Sequence, residues 1–349
     1  MDKRKVSRPR GVVTLQHVAD RVGLTKGTIS AVLNESPSSR AIPQHTKDRI
    51  VAAARELNYR PNFFARTLRK KRTFTVGVIA EEVGDPYGGM VISGIEAFLT
   101  RHKYFFLTVA HRHDHGLLQQ YSDMLRARGV EGLITVDTSL TQPSPLPTVA
   151  VAGHKRVKGV TNIILDHARA AYLALTHLND LGHREIAFLR GQPHSSDSVD
   201  RWRAIGDAAR DLGIRIYPGL TVQIDADDPS PEVGYRITQE LLSRGQRFTA
   251  LFAYNDISAI GAVRAIREAG LRVPEDVSVV GFDDIREAAY HVPSLTTVRQ
   301  PLRKMGEIAA QTLVERIEGR EDYPREIAIE PVLVVRESTS KAVPCPAAK

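Results

Sequence analysis

From Thr75 onward, short apolar runs alternate with stretches that carry apolar residues at helical spacing, a rhythm that few architectures accept. TVGVIA (75–80) precedes a helical pattern near 88–101, YFFLTVA (104–110) precedes one near 116–128, and GLITV (132–136) and TVAVA (148–152) follow. The rhythm resumes with NIILD (162–166), a helix over 167–181, IAFL (186–189), a helix over 200–212 and LTVQI (220–224). It continues with a helix over 231–244, ALFAY (250–254), a helix over 256–269 and VSVVGF (277–282). Strands that are apolar throughout and separated by helices belong to parallel sheets covered on both faces. About ten of them in two similar runs predict two successive doubly wound sheets. The Pro-rich TQPSPLP (141–147) reads as a loop, and GHKRVKG (153–159) as the seam between the runs.

Upstream the pattern is purely helical. Residues 14–22, TLQHVADRV, place Leu15, Val18, Ala19 and Val22 on one face, with Thr14 as N-cap and Gly23 as the break. Thr25 caps a second short helix with Ile29, Val32 and Leu33 on its face, ended by Asn34. Two short helices around a three-residue turn containing Gly are the helix-turn-helix pattern. A third helix over roughly 46–57 would complete the small core. After Pro61-Asn62, FFARTLRKK is a basic segment with Phe64, Ala65 and Leu68 at helical spacing.

Charge follows the same division. Residues 1–73 hold 17 Lys+Arg against 5 Asp+Glu, a local +12, whereas the remainder holds 31 against 35, within a total of +8. A basic head on a slightly acidic body is the electrostatic footprint of nucleic-acid binding. The 349 residues are enough for two or three domains, and 42% hydrophobic content supplies cores without any stretch apolar enough for a membrane. The basic N-terminus leads into no apolar run, so no secretory signal is expected. The single cysteine, Cys345, allows neither an internal disulfide nor a Cys-based metal site, and a cytoplasmic location is expected.

TLQHVADRVGLTKGTISAVLN (14–34) followed by ELNYRPNFFARTL (56–68) resembles the head of the lac repressor/purine repressor family of bacterial transcription regulators. LGHREIAFLRG (181–191), AYNDISAIGAVRAIREAGLRVPEDVSVVGFDD (253–284) and PSLTTVRQPLRKMGEIA (293–309) extend the resemblance in the family's order to about residue 338. The resemblance implies an all-α helix-turn-helix head and hinge helix joined to an α/β core of two doubly wound parallel-sheet lobes, like a periplasmic sugar-binding protein. It places the head at 1–61, the hinge helix at 62–73 and the core at 74–340, before a flexible tail at 341–349. The N-lobe would take about 74–153 and 298–325, the C-lobe about 154–297 and 326–340. It further implies a homodimer on a pseudopalindromic operator, no cofactor, and a small-molecule effector, inducer or corepressor. The tail KAVPCPAAK lacks the leucine heptad of lac repressor tetramers, so a dimer is expected.

The second helix of a helix-turn-helix presents its N-terminal residues to base edges in the major groove. These are Lys26 and Gly27, with Ala31 one turn on. Lys26 can donate to guanine O6 or N7; Gly27 has no side chain to read with, and Ala31 offers only a methyl group to thymine. Thr14, Thr25, Thr28, Ser30, Asn34 and Thr46 match the family's phosphate-contacting positions, and Leu15, Gln16 and Tyr59 complete the head's candidate surface. Asn62, Ala65, Leu68 and Arg69 match the hinge face that enters the minor groove, with Leu68 as the apolar wedge. The loop 34–42 is about three residues longer than in the lac repressor, and Pro43 replaces a capping Ser.

Doubly wound sheets bind ligands beyond the carboxyl ends of their strands. Asp85, Tyr87, Arg203, Asn255, Asp283 and Gln300 fall there and are the expected effector residues. Carboxylates and amides suit sugar hydroxyls, and Arg203 suits an oxyanion or a sugar oxygen. Asp256 and Asp284 read equally as helix caps, and Trp202 as packing or as a ring platform. Gly88 replaces an aromatic of the purine repressor, which disfavours a purine; Asp85 stands where many sugar-responsive relatives carry Asn. The run His111–His115 is read as a solvated loop or cleft rim, with no metal site expected. No nucleotide-binding glycine loop or activated nucleophile is evident, so no enzyme is expected.

Overall fold

The computed structural model describes residues 13–60, 72–153, 155–193, 195–224, 230–320 and 322–343. It divides into two compact units, Met1–Thr73 and Phe74–Lys349. The first contains α1 (Leu15–Val22), α2 (Lys26–Leu33) and α3 (Gln44–Glu56). Val18, Ile29 and Ile50, one from each helix, are fully buried at their junction, and Leu15, Val22, Leu57 and Tyr59 close over them. Gly23 ends α1 at φ 71°, a left-handed position that costs glycine nothing, and its N–H returns to the Ala19 carbonyl. The long loop after α2 is ordered: Pro37–Ala41 forms a 3₁₀ turn against α2, anchored by the Ser36 N–H donating to the Ala31 carbonyl at 3.0 Å. Pro43 stands immediately before α3, where a missing N–H leaves no helical bond unmade.

The second unit holds two six-stranded sheets. The first runs β11-β5-β4-β3-β1-β2, with β1 (Thr75–Ala80), β2 (Phe105–Ala110), β3 (Gly132–Val136), β4 (Thr148–Val151), β5 (Val160–Leu165) and β11 (Glu326–Ile329) all parallel. The second runs β12-β10-β9-β8-β6-β7, with β6 (Ile186–Arg190), β7 (Thr221–Gln223), β8 (Ala250–Phe252), β9 (Ser278–Asp283) and β10 (Thr296–Arg299) parallel and the edge strand β12 (Val332–Val334) antiparallel. Helices α4 (Pro86–Arg101), α5 (His115–Ala127) and α11 (Leu302–Ile317) serve the first lobe. α6 (His167–Asp180), α7 (Ser196–Asp211), α8 (Pro231–Ser243), α9 (Asp256–Glu268) and the short α10 (Arg286–Tyr290) serve the second. Each lobe contains one helix pair brought to backbone contact by glycines. A Cβ on Gly94 would lie 1.9 Å from the Arg303 carbonyl oxygen, and one on Gly261 would lie 1.9 Å from that of Pro231.

The seam differs from expectation. Segment 160–165 was expected to open the C-lobe, yet it pairs with β4 and β11 in the first sheet. Likewise 326–329 joins the first sheet and not the second, whereas 296–299 belongs to the second. The N-lobe therefore extends through Leu165 and recovers the chain from Leu302 to Ile329. A run of buried strand residues carries no mark of which parallel neighbour it will pair with, so periodicity located β5 without assigning it. Chain crossings between the lobes follow β5, β10 and β11. The carboxyl ends of β1, β3 and β9 open onto one cleft between the lobes.

Candidate functional site

In the head, the sequence exposes the start of α2. Thr25 accepts the Thr28 N–H at 3.2 Å and bonds its hydroxyl at 2.9 Å, so the cap is made and the first turn is held open. Lys26 and Gly27 are exposed, and a side chain at Gly27 would meet nothing nearer than the Thr25 hydroxyl, 3.7 Å away. Thr14 and Gln16 are exposed at the start of α1, where the Thr14 N–H donates to His17 Nδ1 at 3.0 Å. Thr28, Ser30, Asn34 and Thr46 are half-buried; Asn34 donates to the Ser30 carbonyl at 2.8 Å and closes α2. Leu15 and Tyr59 pack on the helical core.

Ala31 departs from its expected place. It is only 7% exposed, on the helix against which the inserted 3₁₀ turn folds, so its methyl is withdrawn from the reading surface. Asn62, Ala65, Leu68 and Arg69 lie outside the described residues.

The cleft of the core is built from both lobes. β1 delivers Glu81, Glu82 and Asp85, and β3 delivers Asp137. Asp85 caps α4, accepting the Gly88 N–H at 3.0 Å, and places Tyr87 in the first turn. A Cβ at Gly88 would lie 3.0 Å from the Glu82 carbonyl oxygen, so the turn is closed tightly at that point. Among the described residues the Tyr87 hydroxyl, buried at the cleft wall, has no hydrogen-bond partner. From the second lobe come Asp197 and Arg201 on α7, Tyr254 and Asn255 after β8, and Asp283 at the end of β9.

Arg201 is the anchor of this arrangement. It is 3% exposed, bonds Asp197 with one terminal nitrogen and donates to the Tyr254 carbonyl at 2.5 Å with the other. Its guanidinium lies between two rings, 4.5 Å from the centre of Tyr254 and 3.7 Å from that of Phe282. Gly191 leaves room for this, since a Cβ there would lie 2.3 Å from the Tyr254 ring. Asp197 also meets His167 Nε2 at 2.9 Å. Asp283 sits at φ 110°, outside the usual range for a side-chain-bearing residue, and accepts from Gln300 Nε2 at 2.6 Å. Burial raises the Asp283 carboxyl well above the usual carboxylate range, against the pull of Arg201, and burial likewise raises the Tyr87 hydroxyl.

Of the six expected effector residues, Asp85, Tyr87, Asn255 and Asp283 line the cleft. Gln300 stands behind it as a buried support for Asp283. Arg203 does not line it: its side chain is 68% exposed and pairs with Asp200 at 2.8 Å. Helical phase is the reason. Ile205, Ala208 and Ala209 define the buried face of α7, and that face runs back through Arg201 to Asp197, leaving Arg203 on the opposite side with Asp200, Asp207 and Arg210. That signal was present in the sequence. Asn255 caps α9 by accepting the Ser258 N–H at 2.9 Å. Asp256 is a buried structural acid bonded to Thr297 and the Ile285 N–H. Asp284 is neither helix cap nor cleft residue, since it pairs with Arg299 and Arg336. Trp202 packs edge-on to Phe188. The histidine run separates: His111 is buried against the Thr138 hydroxyl, and His113 meets Glu81 at 2.6 Å on the cleft rim.

With this geometry in place, comparison with known proteins is informative. Residues 14–62 match the family model described as bacterial regulatory proteins, lacI family, and residues 175–339 match a periplasmic binding protein-like domain. The chain is 33% identical to the HTH-type transcriptional repressor PurR of Erwinia tasmaniensis, covering 94% of this chain and 97% of the relative. It is 32% identical to the protein of the same name from Haemophilus influenzae, over 94% and 98%. Among solved structures, a lac repressor dimer bound to operator and the anti-inducer ONPF aligns with a TM-score of 0.85 at 27% identity, over 95% of this chain and 100% of that one. A CelR–cellobiose complex aligns with a TM-score of 0.67 at 29% identity, over 93% and 99%. The head with its exposed α2 start, the two-lobed cleft and the near-full-length match to these repressors agree, and the chain belongs to the lacI family of bacterial regulatory proteins.

Proposed function

We propose that this chain is a homodimeric, operator-binding transcriptional repressor whose DNA affinity is set by a hydroxyl-rich small molecule, a sugar or sugar derivative, held between the two lobes. The observation that carries this reading is the Arg201–Asp197–Asp283 group on one lobe and, on the other, the Tyr87 hydroxyl, unpartnered among the described residues, lining one cleft. Fixed cations, carboxylates and hydroxyls converging from two sides are what polyol recognition needs, because each sugar hydroxyl both donates and accepts. The solved relatives support it: one is a complex with cellobiose, another from Enterococcus faecium contains ribose, and a third is a dimer on operator DNA. The relatives named PurR point to repression. Gly88 denies this chain the aromatic that the purine-responsive pattern places there, which favours a polyol over a purine.

In this mechanism Lys26 reads a base edge, while Thr14, Gln16, Thr25, Thr28, Ser30, Asn34 and Thr46 hold the phosphates and fix the register. Leu15 and Tyr59 support that surface from the head's core. The family resemblance assigns minor-groove contact between half-sites to Asn62, Ala65, Leu68 and Arg69. Effector binding changes operator affinity by the difference in its affinity for two lobe arrangements. No catalytic step and no cofactor enters. Duplexes selected from a random pool provide the test, followed by titration of the winning sequence at several salt concentrations. The expected result is a pseudopalindrome bound with a steep negative dependence of log K on log salt. Absence of any preferred sequence would defeat the reading. Arg201→Gln should retain the operator and lose the effector response.

A further inference from the structure

The cleft's charge is lopsided in a way that a neutral sugar does not require. Glu81, Glu82, Asp85, Asp137 and Asp197 line it, beside Asp283, whose carboxyl burial raises well above the usual range. Among the described residues Arg201 is the one arginine or lysine of the same lining, and Asp197 bonds it, while His113 meets Glu81. Among the described residues, Glu82 and Asp85 face the cleft with no cation bonded to them, and Asp85 has a backbone N–H as its partner. Both belong to the first lobe, on the same short connection that delivers Tyr87, whose buried hydroxyl has no partner among the described residues. Arg201, 3% exposed and part of the cleft lining, likewise has no acceptor for its Nε among the described residues. The unfilled bonding capacity is therefore of two kinds: acceptor charge on the first lobe, and donors at Arg201 and Tyr87.

Resting on the effector reading above, we propose that the molecule this cleft accepts carries a positive charge, a protonated amine on a hydroxyl-rich scaffold, and that phosphorylated and carboxylated sugars are excluded. The amine meets Glu82 and Asp85, and ring or chain oxygens meet Arg201 Nε and the Tyr87 hydroxyl. An ammonium among carboxylates in a partly desolvated cleft gains charge-assisted bonds roughly twice as strong as neutral ones. An anion there would add to a surplus of negative charge that Arg201 is already committed to offset. A neutral sugar would leave the Glu82 and Asp85 charges uncompensated at the closing of the lobes.

The experiment uses the full-length chain with four matched probes: hexosamines, the parent hexoses, hexuronic acids and hexose 6-phosphates, compared by thermal shift and calorimetry at one ionic strength. The expected result is that a hexosamine binds at least tenfold more tightly than its parent hexose, with no binding of the acids or phosphates. Glu82→Gln with Asp85→Asn should bring amine and parent within threefold of each other. The proposal is overturned if a parent hexose binds as tightly as its amine, if any anionic member binds, or if no hexosamine binds at millimolar concentration. The underlying effector reading fails separately: a ligand that binds wild type and the Arg201→Gln and Tyr87→Phe variants equally is not in this cleft.

Discussion

Asp197 and Arg201 stand one helical turn apart on α7, are 4% and 3% exposed, and bond to each other. Removing one member of such a buried pair costs about 3–5 kcal/mol, toward the lower end here because Asp197 keeps His167 at 2.9 Å. Arg201→Ala should therefore lower the unfolding free energy of the core by that order. Arg203→Ala, which breaks only an exposed pair with Asp200, should cost less than about 1 kcal/mol. Urea titration of both variants checks the contrast. Equal destabilisation would mean that Arg203 is engaged in the core as Arg201 is.

The same helix shows what could be read from residues alone. As far as residue 283, strand and helix positions of the core followed from apolar periodicity to within a few residues, because burial on both sheet faces and on one helix face imposes distinct periods. Cleft residues at strand ends, Asp85, Tyr87, Asn255 and Asp283, were equally visible, since the ends of parallel strands are where such folds open. What escaped depended on pairing or on an inserted segment. β5 and β11 join the first sheet through hydrogen bonds to neighbours far away in sequence. Ala31 is withdrawn in a head whose extra residues fold into a 3₁₀ turn against α2, and no alternation of residue types announces that. Arg201 is a different case, because its phase with Ile205 and Ala208 already separated it from Arg203.

The head makes a sharp claim about reading. With Ala31 buried and Gly27 bare, Lys26 is the principal candidate for direct base contact on α2. Lys26→Ala should relax preference at one base pair per half-site and cost roughly 1–3 kcal/mol of discrimination there. Competition binding against operators substituted at each position measures it. A uniform loss across all sequences would assign Lys26 to a phosphate instead.

Gly27 offers the converse. Its Cβ position is open, and a helix interior gains about 0.5–1 kcal/mol when Gly becomes Ala. Gly27→Ala should raise the stability of the head, read by thermal unfolding. A fall in stability would mean that the first turn of α2 needs glycine's backbone.

Asp256 gives the core a pH signature. Burial pushes its carboxyl up to about 7 from an ordinary 3.8, against the Thr297 hydroxyl and Ile285 N–H that favour the charged form. A folded-state value above the unfolded one means that the folded chain holds this proton more tightly. The contribution is complete below about pH 4 and is lost as pH rises through about 7. Asp256→Asn removes the titration while leaving an acceptor for the Ile285 N–H and a donor for the Thr297 oxygen. Relative to wild type, the variant should therefore gain stability between pH 4 and pH 7, by no more than about 1.4 kcal/mol per pH unit. Parallel stability profiles for the two proteins would show that Asp256 is ionised throughout that window.

The glycine contacts make the final prediction, on packing. α8 and α9 touch backbone to backbone at Gly234 and Gly261, and a Cβ on Gly261 would fall 1.9 Å from the Pro231 carbonyl oxygen and 2.6 Å from the Tyr235 nitrogen. Neither obstacle is the end of a flexible side chain, so the helices must separate to admit even a methyl group. In an exposed helix the same change would be stabilising, through propensity. Here overpacking sets the sign, and Gly261→Ala should destabilise the second lobe by about 1–3 kcal/mol. Gly206 on α7, with nothing within 4 Å of its Cβ position, is the internal control, and Gly206→Ala should stabilise the chain or leave it unchanged. Thermal unfolding of the two variants side by side separates packing from propensity. If both shift upward, the α8–α9 contact is looser than the 1.9 Å approach implies.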